Sequence, residues 1–248
     1  MRPRIALDRD RFVALWQLPG PVTMAVVSVA WLRALDPDAQ RALVRAHLDA
    51  AEEAHADSLR LPRRRFEWLA GRLAAKHGVR CFRRRYLGEC LATRDVHVAA
   101  VPDGLCAGQP VVAAPVRLSV SHSAEFAVAV CGGRPVGVDL ERERVFAPPL
   151  LDLLAADLAG AGGAPARRLG AMPPALRWAC KEAVLKLFGV GLRVDARQVR
   201  LTDWQDGSRF SWSAGQDLTR QMPAAADPRR FGTWARVLDG YALALIWN

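Results

Sequence analysis

The chain has 248 residues, enough for one large domain or two of roughly 120 residues each. With 51% hydrophobic and 24% charged residues, it is neither a disordered nor a collagen-like chain. Basic residues number 35 against 25 acidic, and the net charge of +10 favours an anionic partner without saying which anion. No apolar run approaches the ~20 residues that cross a bilayer. Met1-Arg2-Pro3-Arg4 leads into Asp8 and Asp10 rather than into an apolar leader, so a soluble, cytoplasmic protein without a membrane partner is expected. The five cysteines (Cys81, Cys90, Cys106, Cys131, Cys180) are scattered and form no C-x-x-C pair. They read as reduced thiols used as small hydrophobes.

In chain order, Val22 to Leu32 has the β-branched density of a buried strand. Asp36-Pro37 opens a helix, with Asp36 as N-cap and Leu43, Val44, His47 and Leu48 at helical spacing. A second helix is predicted from Pro62 to His77, with Phe66, Leu69, Ala70 and Leu73 as its apolar stripe and Gly78 as its stop. Cys81 to Val116 is rich in turn residues. A β-hairpin is expected next, from Phe126 to Val130 and from Pro135 to Glu141 around Gly132-Gly133. Residues 155–175 read as a flexible Ala/Gly/Pro insertion. Trp178 to Phe188 resumes helical spacing until Gly189 and Gly191. Strand-like pieces follow at Phe231 to Val237 and Tyr241 to Trp247. The succession predicts an α+β fold, divided near residue 118 into halves spanning 1–118 and 119–248.

Four elements could carry chemistry. Alternation along Gly137-Val138-Asp139-Leu140-Glu141 places Asp139 and Glu141 on one strand face, beside a glycine that leaves room. Two such carboxylates can hold a hard divalent cation, although for the pentapeptide alone solvated acids paired with Arg142 or Arg144 are the stronger reading. In Trp178-Ala-Cys-Lys-Glu-Ala-Val-Leu-Lys186, Glu182 and Lys186 stand four apart, as in an ordinary helical ion pair. Yet the chain has only three lysines (Lys76, Lys181, Lys186), and two of them fall within this apolar segment. A compact ammonium suits a phosphate oxygen, and a half-buried Glu suits a metal or proton transfer. Ser119, Ser121 and Ser123 share one strand face and Val120 and His122 the other; hydroxyls and imidazole together can bind phosphate oxygens. The triplets Arg63–Arg65 and Arg83–Arg85 flank a helix carrying Gly71-Arg72.

Taken in this order, Ser121-His122-Ser123, Gly137 to Glu141, and Trp178 to Lys186 resemble the motifs of the 4′-phosphopantetheinyl transferase superfamily, specifically its larger surfactin-synthetase-activating class. The resemblance runs from about residue 60 to 195. It implies two similar α+β halves related by a pseudo-twofold axis, a site between them, and a monomer. It further implies that Asp139, Glu141 and Glu182 hold Mg2+ against coenzyme A. Lys186 would then contact a phosphate and stabilise the transferring group, and Glu182 would act as base on the carrier protein's serine. Arg65, Arg72, Ser121, His122 and Lys181 would contribute to holding coenzyme A. The implied reaction moves phosphopantetheine to an acidic acyl, peptidyl or polyketide carrier protein and releases 3′,5′-ADP. Two departures stand out: Gln109 replaces the usual lysine before the Ser-His-Ser strand, and the stretch between Glu141 and Trp178 is Ala/Gly-rich. From their positions, Arg63–Arg65 are expected at coenzyme A and Arg83–Arg85 towards the carrier. The competing readings are a basic nucleic-acid-binding protein, against which no recognised binding motif is present, and another Mg2+-dependent nucleotide enzyme on an unrelated α+β fold.

Overall fold

In the computed structural model, residues 5–248 are described; the basic opening at 1–4 lies outside them. The fold is mixed α+β, as the sequence predicts. It comprises two compact units, one running to Val101 and resuming over Pro110–Arg134, the other made of Pro102–Gln109 and Pro135–Asn248.

The first unit begins with β1 (Val13–Leu18) and β2 (Val22–Ser28). The apolar run expected to be one strand ends early, because the Ser28 hydroxyl accepts the Trp31 amide at 3.0 Å and caps α1 (Val29–Ala34). Asp36 caps α2 (Pro37–His47) as predicted. Asp49 and Glu52 form a reciprocal capping box on α3 (Ala50–Ser58). The long helix α4 (Pro62–Phe82) runs through Gly78 rather than stopping there. Gly78 is instead a crossing point: a Cβ there would meet Cys131 Sγ at 3.0 Å and Ala25 Cβ at 3.6 Å, and its carbonyl accepts the Thr23 hydroxyl at 3.1 Å. The helix widens into one π-helical turn, Arg83–Leu87, and ends at Gly88, whose φ of 71° supplies the left-handed cap.

After the short pair β3 (Ala99–Ala100) and β4 (Pro110–Val111) come β5 (Arg117–Ser123) and β6 (Phe126–Gly132). These two form the hairpin, turning at Ala124, φ 50°. The hairpin predicted across Gly132-Gly133 does not form. Both edges of β6 are already occupied, by β2 and β5, in a sheet of order β1-β2-β6-β5, which leaves no edge for the following strand. For the same reason the first unit extends past residue 118, through Arg134. Helix α4 covers one sheet face, with Leu69, Ala70, Leu73, Val27, Ala127 and Ala129 in its core.

The second unit starts with β7 (Val136–Arg142). The stretch predicted to be a flexible insertion falls instead in helices, α5 (Pro148–Ala161) and α6 (Gly163–Gly170). Its Ala and Leu residues favour helix, and its glycines fall at the break, where Gly162 and Gly163 have φ of 64° and 51°. Leu154 and Leu169 anchor the pair as fully buried side chains. Helix α7 (Pro174–Leu187) ends at the predicted glycines, with Gly189 at φ 75°. Then follow β8 (Val199–Gln205), β9 (Arg209–Ala214), α8 (Gln216–Gln221), β10 (Gly232–Leu238) and β11 (Tyr241–Trp247). Strand β11 lies between β10 and β7, antiparallel to both, and α7 packs across β7 and β11. Gln109 belongs to this unit: its amide lies where a Cβ on Gly189 would stand, 2.3 Å from Oε1.

Gly137 fixes how close α7 comes to β7. A Cβ there would sit 2.1 Å from the Ala183 carbonyl oxygen and 2.8 Å from the Leu187 amide, both backbone atoms that cannot rotate away. Gly137→Ala should therefore destabilise the fold by about 1–3 kcal/mol or more. Urea unfolding of purified protein measures this; a midpoint matching the parent would show that the helix can lift without cost.

Candidate active site on β7 and α7

Gly137, Asp139 and Glu141 share the β7 face that packs against α7, opposite Ile246, Ala244 and Ala242 of β11. The absence of a side chain at Gly137 lets α7 approach until Glu182 and Lys186, one turn apart, meet those carboxylates. Asp139 is 2% exposed, and its Oδ1 accepts from Lys186 Nζ at 2.5 Å. Glu182 Oε2 lies 3.6 Å from the same ammonium. Two carboxylates thus meet at one lysine, and Glu141 lies near enough to feel the charges of all three.

Their mutual repulsion shows in the titration. Burial, then the charges of Asp139 and Glu182, push the Glu141 carboxyl up to about 7, against the opposing pull of Arg144 and Lys186. Burial and Asp139 likewise raise Glu182, with Lys186 acting the other way. Burial alone would lower the Lys186 ammonium, but Asp139 and Glu182 outweigh it and hold the lysine above its ordinary value. Lys186 and Arg144 together oppose that repulsion.

Hard oxygen donors crowded against their own repulsion fit a divalent cation in chemistry. They are not a ready cage: among the described residues, no three His, Cys, Asp or Glu side chains are grouped to hold a metal ion, and the Lys186 ammonium supplies the positive charge between Asp139 and Glu182.

Of the other predicted residues, Lys181 belongs to the same unit as this group and the rest belong to the first unit. Lys181 faces elsewhere: it is 1% exposed, paired with Asp157 Oδ2 at 2.8 Å and donating to the Val199 carbonyl. Such a lysine joins α7 to α5 and β8. In the first unit, Ser121 is buried and His122 exposed on β5. Arg65 pairs with Asp57 at 3.3 Å. Arg72 is held inside its unit: it donates to the Val98 carbonyl, lies 3.6 Å from Glu52 Oε1 and stacks over Trp68 at 5.1 Å. Sequence reading missed the partner of Lys76, a fully buried lysine 2.6 Å from Glu52 Oε2. The signal was present, since Asp49-Ala-Ala-Glu52 is a legible capping box that brings Glu52 to the start of α3.

These motifs coincide with a known family signature in the second unit. Residues 135–244 match the family model of the 4′-phosphopantetheinyl transferase superfamily. The matched stretch contains Asp139, Glu141, Glu182 and Lys186 and stops short of the Ser121-His122-Ser123 strand. Among solved structures, a holo-(acyl-carrier-protein) synthase from Bacillus anthracis str. Ames, in complex with CoA, is similar at 24% identity and a TM-score of 0.35, over 44% of this chain and 91% of that one. Comparison with curated proteins gives no match.

The raised Glu141 carboxyl has a consequence for stability. A folded-state value near 7, against an ordinary value near 4.5, means the folded state holds this proton more tightly than the unfolded chain does. Its contribution is full below about pH 4.5 and is lost as pH rises through about 7. In metal-free buffer, Glu141→Gln should therefore melt higher than the parent at pH 8, with the gap closing towards pH 4.5. Thermal melts across that range check it; a gap independent of pH would remove Glu141 from the repelling group.

Proposed function

We propose that this protein transfers the 4′-phosphopantetheine group of coenzyme A to a serine of an acidic carrier protein, releasing 3′,5′-ADP. The observation that carries this reading is the meeting of the Gly-Val-Asp-Leu-Glu strand and the Lys-Glu-Ala-Val-Leu-Lys helix at one ammonium–carboxylate cluster. The match over 135–244 supports it. Within that reading Asp139, Glu141 and Glu182 would hold Mg2+, which would supply positive charge against the pyrophosphate.

The chain's own residues do the rest. Lys186, kept protonated by its carboxylate neighbours, offers a compact charge to a phosphate oxygen as negative charge builds on it. Glu182 stands one helical turn away and, deprotonated, can accept the proton of the carrier's serine hydroxyl. Because burial raises its pKa, that base is a better proton acceptor than a solvated glutamate. Ser121, His122 and Arg65 are proposed contacts for coenzyme A phosphates, with the hydroxyl, imidazole and guanidinium donors such oxygens take. Arg72 and Lys181 carry no role in this proposal, since the structure commits both to internal partners.

Incubating the protein with coenzyme A, Mg2+ and a panel of acyl, peptidyl and polyketide carrier proteins, followed by mass spectrometry, tests the reaction directly. One added phosphopantetheine on a carrier supports it, and an unchanged panel refutes it. Asp139→Ala should abolish transfer while circular dichroism shows the fold retained. Lys186→Ala should lower kcat and kcat/KM together, by on the order of 10²–10³, with little change in coenzyme A affinity. If Lys186 served only as a helical partner of Glu182, steady-state kinetics would be unaffected and a melt would show a loss of a few tenths of a kcal/mol.

A further inference from the structure

The second arginine triplet does not act as one face. Arg83 is tied down, pairing with Glu89 at 2.7 Å and donating to the Ala113 carbonyl at 3.1 Å. Arg84 and Arg85 instead join His77, Arg80, Cys81 and Leu15 around a cavity of about 560 Å3 in the first unit. The spacing 77, 80/81, 84/85 is one stripe along the end of α4 and its π-helical turn, and Leu15 faces it from β1.

Three guanidiniums line this cavity, and among the described residues none has a carboxylate within 4.0 Å. Arg80 is positioned by its own contact, donating from Nε to the Leu91 carbonyl at 2.8 Å. Lining the cavity with them is His77, only 9% exposed, whose buried Nε2 has no hydrogen-bond partner. Burial, then the charges of His47 and Arg80, push that imidazole down to about 4. Three like charges around one concavity raise its positive potential and favour an anion there, and the unsatisfied imidazole nitrogen adds a polar group beside them. Nothing within the described residues supplies that anion.

We propose that this cavity is a binding site for a phosphate-bearing small molecule. Guanidinium forks bind oxyanions through paired hydrogen bonds, and a phosphate group, with three oxygens and up to two charges, can satisfy more than one fork at once. A carboxylate, with two oxygens and a single charge, offers fewer acceptors and less charge to three guanidiniums. The concave shape and limited volume select a compact phosphorylated group over a duplex backbone. Leu15, 46% exposed at the rim, adds an apolar wall for an organic body beyond the phosphate. None of the residues lining this cavity has a role in the transfer reaction proposed above, so the two readings stand or fall separately.

Titration calorimetry of the full chain with phenyl phosphate, using benzoate as the carboxylate control, tests the site. Phenyl phosphate should bind, more tightly than benzoate, and Arg84→Gln/Arg85→Gln should weaken it at least tenfold. Both side chains are exposed, so the variant should fold as the parent does, which a thermal melt confirms. The charge-matched variant Arg229→Gln/Arg230→Gln, altered on an exposed stretch of the second unit, should bind as the parent does. Adding coenzyme A or 3′,5′-ADP distinguishes the sources of the phosphate. Displacement of phenyl phosphate by either, lost in the Arg84/Arg85 variant, assigns the site to the nucleotide's own phosphates. Unchanged phenyl phosphate binding beside saturating nucleotide assigns it to a separate phosphorylated ligand. Three results would overturn the proposal: no binding to the parent, equal weakening in the charge-matched variant, or a variant that binds phenyl phosphate normally while losing association with an acidic carrier protein.

Discussion

The contact on which the candidate active site depends is the approach of the α7 backbone to the β7 backbone at Gly137. A helix normally stands off a sheet by the thickness of two side-chain layers. Here one layer is missing, and the Ala183 carbonyl lies where a Cβ would be. That closeness brings Lys186 to Asp139 at 2.5 Å while the rest of the interface stays apolar, with Ala179, Ala183, Ala244 and Ile246 filling it. Small residues on both elements therefore serve the charged ones.

Buried lysines show a second constraint. Of the three in the chain, Lys76 and Lys181 are within 1% of complete burial, each paired with one carboxylate from a neighbouring helix, Glu52 and Asp157. Lys76 joins the long helix α4 to the shorter α3, and Lys181 joins α7 to α5, a helix of equal length. Removing one partner of such a pair leaves a buried charge unmatched and costs about 3–5 kcal/mol, so the pairs specify packing more than they add stability. Lys186 differs in meeting carboxylates from two elements, Asp139 and Glu182, with the raised Glu141 beside them. Crowding of this kind suits a place where further positive charge and phosphate are to be handled.

Arginine, used for nearly every other cation, is divided between structure and surface. Arg72 and Arg177 are drawn inward, their guanidiniums donating to the Val98 and Leu154 carbonyls. Arg168 makes a two-pronged contact with Asp203, at 2.7 and 2.8 Å, that holds α6 to β8. Some of the positive charge is thus already engaged within the fold, and net charge alone is a poor guide to where an anion binds. The cavity at the end of α4 stands out because its arginines converge without carboxylates.

The sequence by itself determined the α+β class, the caps of α2, the end of α7 at its glycines, the last two strands, and the pairing of Asp139 with Glu141 on one face. These follow from local rules: a capping residue, a glycine with positive φ, or a period of two acts within a few residues and needs no distant partner. It also placed Glu182 and Lys186 on one helix face, because a period of 3.6 does so whatever the helix packs against. Tertiary structure decided the rest. Which strands pair is a matter of free edges, so β6 took β2 and β5 and left β7 to β11. Whether a glycine stops a helix depends on what lies beside it, and at Gly78 a neighbouring sulfur and methyl group made the glycine a crossing point. Lys181 and Lys186, five residues apart and alike in sequence, were separated by the faces their helix turned to its neighbours. One was enclosed with Asp157 and the other was brought to Asp139, because burial and the charges around a side chain are set by the elements packed against it.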